Sequence, residues 1–321
     1  MNDNQTQANN FGINLDNGGN TPNSEHINPI PTTEPTGTVL TTDAIKEKIK
    51  QETYSHEEQN DVNAITVTIP DTITPIVVLF GPKSSGKTLV LLRMIRWLEQ
   101  NEFQVVPEMV FRPQHDEHYS RMCAELKNIA YSTYTPGGTD QISFMLNKVL
   151  DNVGNPRFQL LEAPGEHYFD VKAPNDPFPT YINHIRTTPN RKVWVFIVEQ
   201  NWGRDQGERN MYAQKICQMQ QLMSPKDKVV FLINQVDKLR GQFKPDGHPN
   251  IQVFFNNIKQ QYPGIFSKYK NSGLSSFLYG EYNFKAVCFS SGVFNKTNTG
   301  KEVWTLENDW YCQELWKALK A

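Results

Sequence analysis

The chain has 321 residues, a formal net charge of -2 and four cysteines, which is ample length for a sizeable core in one large domain or two small ones. The near-neutral charge argues against general nucleic-acid or anionic-membrane binding, and the longest apolar run, Val193 to Val198, is too short to cross a bilayer. Cys123, Cys217, Cys288 and Cys312 fit neither a zinc spacing nor a dense disulfide framework and read as reduced, mostly buried thiols; with no basic-then-apolar leader after Met1, the expectation is a cytoplasmic, soluble protein.

Residues 1 to about 40 are dominated by Asn, Thr, Pro and Gly and have too little apolar surface to offset the entropy of ordering, so residues 1–61 are expected to form a disordered polar tail. A short solvated helix is expected inside it, over Thr42 to Glu58, with Thr42 or Asp43 as its cap. Ala64 to Ile69 alternates with period two and predicts an edge strand before the turn at Pro70-Asp71.

Ile76-Val77-Val78-Leu79-Phe80 is an apolar run that predicts a buried strand. It leads into Gly81-Pro82-Lys83-Ser84-Ser85-Gly86-Lys87-Thr88, which matches the phosphate-binding (Walker A) pattern G-x-x-x-x-G-K-[ST] at every fixed position. Glycines let such a loop bend its N–H groups onto a triphosphate, Lys87 reaches the outer phosphates, Thr88 is a candidate Mg²⁺ ligand, and the following helix adds its positive end. The helix is expected to run to about Gln100, with Phe103 to Phe111 extended and Asp116 to Ala130 helical; together they form an insertion at about 101–134. His115-Asp116-Glu117-His118 only superficially resembles a metal cluster and is expected to be solvated.

Tyr134 to Asp140 is a flexible stretch containing two candidate Mg²⁺-ligand hydroxyls, Thr135 and Thr139. Ile142 to Leu150 and Arg157 to Leu161 flank the turn residues Asp151 to Pro156, a predicted hairpin returning the chain to the sheet beside the strand before the phosphate loop. The runs Val193 to Val198, Val229 to Ile233 and Ala286 to Phe289 are continuous and apolar, as parallel strands covered on both faces must be. Gln206 to Met223 and Ile251 to Tyr262 are helix candidates between them, and Trp304 to Leu319 is expected as a closing helix with an apolar stripe for the core. Lys268 and Lys270, beside Tyr262 and Tyr269, form a small basic-aromatic patch expected at the surface. The predicted architecture for 62–321 is one α/β domain, a mostly parallel sheet with helices on both faces.

Several strands run directly into a polar group where α/β sheets bind ligands: Gly81, then Glu162-Ala163-Pro164-Gly165, then Asn234-Gln235-Val236-Asp237, then Ser290-Ser291-Gly292. In this order the series resembles the P-loop GTPases of the Ras-like and translation-factor-like kind, over most of residues 76 to 292. In broad outline the chain is also similar to GTPase modules of bacterial multi-component systems. The resemblance implies a Mg²⁺-dependent switch that binds GTP and GDP, hydrolyses GTP slowly and answers to a protein effector or activator. It places Gly81, Ser84, Ser85, Gly86, Lys87 and Thr88 at the phosphates, and Thr88, Thr139 and Glu162 at the metal, with Glu162 standing where the family has Asp and Thr135 as the other choice for Thr139. Gly165 matches the glycine that senses the terminal phosphate. Asn234 and Asp237 match the base-reading motif, with Gln235 in place of the family's Lys, and Ser290 and Ser291 stand where the last motif supports the base. One carboxylate at Asp237 accepts from both the ring N–H and the exocyclic amine of guanine, two donors that adenine does not offer there.

Lys87, Glu166 and His167 are the candidate catalytic residues, the last two standing just after Gly165, where many members carry the residue that orients water. Arg204 and Arg209 are candidates for an arginine finger, which the sequence does not assign. The competing expectations are a nucleotide-dependent scaffold with little turnover, favoured by the two carboxylates Glu162 and Glu166, and a P-loop ATPase or kinase, which has no use for Asp237.

Overall fold

The computed structural model describes residues 55–132, 144–273, 281–296 and 302–320. They belong to one compact unit, Thr42–Ala321; the other unit, Met1–Thr41, lies outside the described residues, as does most of the predicted tail.

The polar segment before the sheet contains a helical turn, α1 (His56–Asn60), capped by Ser55; the expected caps Thr42 and Asp43 lie outside the described residues. Ser55 and Glu58 make a reciprocal capping box. The predicted edge strand at 64–69 does not form. Val62–Ala64 is a 3₁₀ turn, and beyond it Ile65 and Ile69 are buried while the backbone of residues 66–69 bonds to residues 111 and 112 only, Thr68 N to Phe111 O at 2.9 Å and Thr66 O from the Arg112 guanidinium at 2.8 Å, among the described residues. Period-two burial there comes from an extended segment lying on the core, and Pro70, which has no N–H, ends any ladder.

The seven-stranded sheet has the order β2-β3-β4-β1-β5-β6-β7. β1 (Ile76–Phe80) lies at its centre, fully buried and parallel to both neighbours, β4 (Pro156–Glu162) and β5 (Lys192–Val198). β6 (Lys228–Ile233) and β7 (Lys285–Cys288) continue the parallel order outward. On the other side β3 (Met145–Leu150) and β2 (Gln104–Pro107) are antiparallel. The predicted hairpin is therefore present, and Asp151 closes its turn by accepting from the N–H of Val153 and Asn155.

Each sheet face carries its own layer. Val77, Leu79, Leu160 and Val195 point to α2 (Lys87–Gln100) and the C-terminal α8 (Trp310–Lys320). α2 also packs on α3 (Glu117–Tyr131), so that Val90 to Leu98 are buried on nearly every side. The opposite face presents Phe80, Phe196 and Phe231, met by Tyr212 of α6 (Gln206–Leu222), by Tyr168 and by Phe266 beside α7 (Ile251–Gln261). Two short helices, α4 (Gly165–Tyr168) and α5 (Thr180–Thr187), follow β4.

Trp304 and Leu306 do not belong to the closing helix. Trp304 lies in β9 (Glu302–Thr305), paired antiparallel with β8 (Val293–Lys296) as a small second sheet, and the helix starts only at Trp310, whose N–H is capped by Asn308 Oδ1 at 2.8 Å. Extended pairing with Phe294, whose ring stacks on the indole at 6.3 Å, wins over the local helical spacing. Cys123, Cys288 and Cys312 are buried and all four cysteines are unpaired with one another. No helix among the described residues is long and apolar enough to cross a membrane.

Candidate functional site

The loop between β1 and α2 is shaped by two left-handed residues, Ser84 at φ +63° and Gly86 at φ +83°. Gly81 has no room for a side chain, since a Cβ would meet Ser85 Oγ at 2.5 Å and Ile197 Cβ at 3.3 Å. Gly86 is the N-cap of α2 and offers no side-chain acceptor, which leaves the first-turn N–H groups available to an anionic ligand. Lys87 is buried and folds its ammonium back over the loop, 3.3 Å from Pro82 O. Burial holds its pKa below the ordinary lysine value, with the charge on Glu162 opposing.

At the end of β4, Glu162 is fully buried and its Oε1 accepts from the Thr88 hydroxyl at 2.5 Å. Its Oε2 has no hydrogen-bond partner among the described residues. Burial pushes this carboxyl up to about 7, against the pull of Lys87 and Thr88. A hydroxyl and a carboxylate with one unused oxygen form an all-oxygen donor pair, the type that suits a hard cation such as Mg²⁺. An unpaired buried oxygen costs stability until something binds it.

Beyond Ala163-Pro164 the chain closes on the phosphate loop. A Cβ on Gly165 would lie 2.3 Å from Lys83 N and 2.4 Å from Pro82 C, so glycine is required by the approach of two backbones. Glu166 faces Lys83 across 4.0 Å at the exposed rim. His167 Nδ1 is 2.6 Å from the Tyr181 hydroxyl on α5, and burial lowers its pKa to about 4, which keeps the ring neutral near pH 7.

The third group lies at the ends of β6 and β7. The amide of Asn234 donates to Ser85 O at 2.8 Å, and its Oδ1 accepts from the Ser291 hydroxyl at 3.3 Å, so one side chain joins the phosphate loop to the last motif. Gln235 takes a left-handed conformation, φ +58°, that turns the chain into the 3₁₀ segment Val236–Gln242. Asp237 stands half-exposed in its first turn, and its carboxylate makes no hydrogen bond among the described residues. Val236 N donates to Phe289 O at 3.3 Å, which holds this turn against the chain leaving β7, where Ser290 and Ser291 are buried.

Four separated stretches thus meet at the carboxyl ends of the parallel strands: Gly81 to Thr88, Glu162 to Gly165, Asn234 to Asp237, and Ser290 with Ser291. Thr135 and Thr139 lie outside the described residues. Arg204 is tied to Glu208 and Arg209 to the carbonyl of Trp202. His118 is buried, contrary to the expectation of a solvated cluster, and lies 3.2 Å from Arg121; no group of three His, Cys, Asp or Glu among the described residues is placed to hold a metal. Tyr262 is also buried, donating to Glu199 O at 2.7 Å, and so leaves the proposed basic-aromatic patch.

Sequence reasoning missed Tyr181, Arg93 and Trp304. Arg93 and Arg96 did carry a signal: two cations inside the apolar run of α2 must be paired within the core. Arg93 donates to the carbonyls of Ser290, Glu307 and Asn308, and Arg96 to those of Ala130 and Ser132.

No family model and no curated protein matches this sequence. Solved structures similar to it include nucleolar GTP-binding protein 1 from Plasmodium falciparum, at 12% identity and TM-score 0.38, with 79% of this chain and 89% of that one covered. Others are the GTP-bound Ski7 GTPase-like domain of S. cerevisiae (13%, TM-score 0.33, 68% and 43% covered) and GDP-bound Roco2 RocCORdC of Methanosarcina barkeri (9%, TM-score 0.30, 80% and 52%). The chain spans about half the length of these last two. Strand order, parallel pairing about β1 and the loop that follows it make the fold an α/β P-loop arrangement with a Ras-like sheet, extended at its antiparallel edge by β2.

Proposed function

We propose that the protein binds guanine nucleotides with Mg²⁺ and hydrolyses GTP slowly as a switch. The observation that carries this reading is the convergence at the carboxyl ends of the parallel strands of the phosphate loop, the Thr88–Glu162 pair and an unengaged carboxylate at Asp237, which Asn234 and Ser291 link through the loop backbone. Lys87 and the first-turn N–H groups of α2 would hold the phosphates, Thr88 and Glu162 would hold Mg²⁺, and Asp237 would accept from two guanine donors. The metal, when bound, neutralises charge on the phosphates during transfer to water.

Selectivity and turnover are tested together. Asp237→Asn replaces two acceptors by one acceptor and one donor, so the preferred base should move from guanine to xanthine, which has a carbonyl where guanine has its amine. Retained guanine preference in that variant contradicts the role of Asp237. A scaffold with little turnover is the second reading, supported by the engagement of His167 with Tyr181 and of Glu166 with Lys83. Phosphate release from Mg²⁺–GTP at a rate that falls in Lys87→Ala supports the enzyme; binding without release supports the scaffold.

A further inference from the structure

The C-terminal segment after the last motif ties together the Ser290-Ser291-Gly292 turn, the helix that follows the phosphate loop and the turn that carries Asp237. Trp304, buried in β9, donates its indole N–H to Ser291 O at 2.8 Å. Gly292, at φ +112°, fits beneath it: a Cβ there would lie 2.5 Å from the indole nitrogen and 2.7 Å from Thr305 O. Arg93, five residues along α2 from Thr88, is 2% exposed and spends its guanidinium on carbonyls from both sides, Ser290 O and the Glu307 and Asn308 oxygens at 2.9 and 2.7 Å. Its cation lies between the rings of Phe289 and Tyr311, at 5.5 and 5.2 Å from their centroids. Arg240, in the same 3₁₀ segment as Asp237, pairs with the Glu307 carboxylate.

Three elements of separate origin therefore share one anchor at residues 304–308: the phosphate-loop helix through Arg93, the Ser290-Ser291-Gly292 turn through Trp304 and Arg93, and the Asp237 turn through Arg240. None of these three side chains is placed to touch the phosphates. The Ser291 turn, by contrast, is held from outside: its hydroxyl is committed to Asn234, and the glycine that follows it, free on its own to take many conformations, is fixed at φ +112° beneath Trp304.

We infer that Trp304 and Arg240, with Arg93 between them, are positioning residues that fix the base-side turns, and so set how selectively and how long a guanine base is held. This rests on the guanine-nucleotide reading above. A purely structural role would lower affinity for all nucleotides alike, because it would loosen α2 and the phosphate loop with everything else. A positioning role changes the ratio between bases.

The test is the dissociation rate of ribose-labelled GDP and ADP from the full chain with Mg²⁺, in wild type, Trp304→Phe and Arg240→Gln. Trp304→Phe keeps an aromatic ring over Gly292 and removes the N–H together with part of the indole; Arg240, whose side chain is 58% exposed, can be changed without opening the core. One lost hydrogen bond corresponds to a change of about tenfold. The expected result is GDP leaving Trp304→Phe about tenfold faster and Arg240→Gln faster by a smaller factor, with the GDP-to-ADP preference falling by the same factors and with displacement by inorganic tripolyphosphate unchanged. Equal acceleration for GDP and ADP, or no acceleration in either variant while wild type prefers GDP, overturns the inference alone. A wild type that does not prefer GDP over ADP overturns the guanine reading and this inference with it.

Discussion

Glu162 and His167, five residues apart, titrate in opposite senses. The Glu162 carboxyl is raised from an ordinary 4.5 to about 7, so its contribution to stability is complete below about pH 4.5 and is lost as pH rises through about 7. The His167 ring is lowered from 6.5 to about 4, so its contribution is complete above about pH 6.5 and is lost as pH falls through about 4. Over this shared window the two contributions offset one another in the wild type. Glu162→Gln should therefore leave stability rising from pH 4 to 6.5, and His167→Gln should leave it falling from pH 4.5 to 7, each by at most about 3.5 kcal/mol at about 1.4 kcal/mol per unit. Urea unfolding across that range checks both slopes; parallel profiles for the two variants would show that neither group is held as described. Gly165→Ala is a further residue-scale change. A methyl at 2.3 Å from Lys83 N must push one backbone away from the other, with an expected cost of about 1–3 kcal/mol, measurable by the same unfolding experiment.

Among the elements, α8 shows how much a single docked helix contributes. Trp316 is 6% exposed and sits against Phe103, Phe158 and Trp97 at ring separations of 4.9, 5.4 and 6.3 Å. Trp316→Ala should cost about 3–5 kcal/mol in unfolding free energy through the cavity it leaves; a loss under about 1 kcal/mol would mean the helix is not seated there. This helix was legible because Tyr311, Leu315 and Leu319 repeat at helical spacing. The four residues of β9 were not, because Trp304, seven residues before Tyr311, continues that spacing while the partner that makes the segment a strand, Phe294, lies across a connection of other composition. The same difference separates β5 from residues 65–69. Seven consecutive buried residues in β5 admit only a central strand, whereas three alternating apolar residues describe an extended chain on a core as well as a strand in a sheet.

At the scale of the molecule, the site was legible wherever chemistry imposes residue types at the ends of strands. The spacing of Gly81, Gly86, Lys87 and Thr88 places the phosphate loop, and the strand-end positions of Glu162, Asn234 and Ser290 bring the other three stretches to the same end of the parallel strands. What joins them was hidden, because Tyr181, Arg93 and Trp304 act over 14, 197 and 13 residues of sequence and follow no fixed spacing. The measurement that tests the account most directly is the melting temperature of the full chain with Mg²⁺ and either GDP, GTP, ADP or ATP. At a hundredfold excess over Kd, a ligand of the folded state adds about 2.7 kcal/mol, or roughly 5–10 °C for a domain of this size. The account predicts that rise with GDP and GTP, its loss in Lys87→Ala and Asp237→Ala, and none with adenine nucleotides. Stabilisation by ATP and ADP alone, or by no nucleotide at all, would contradict it.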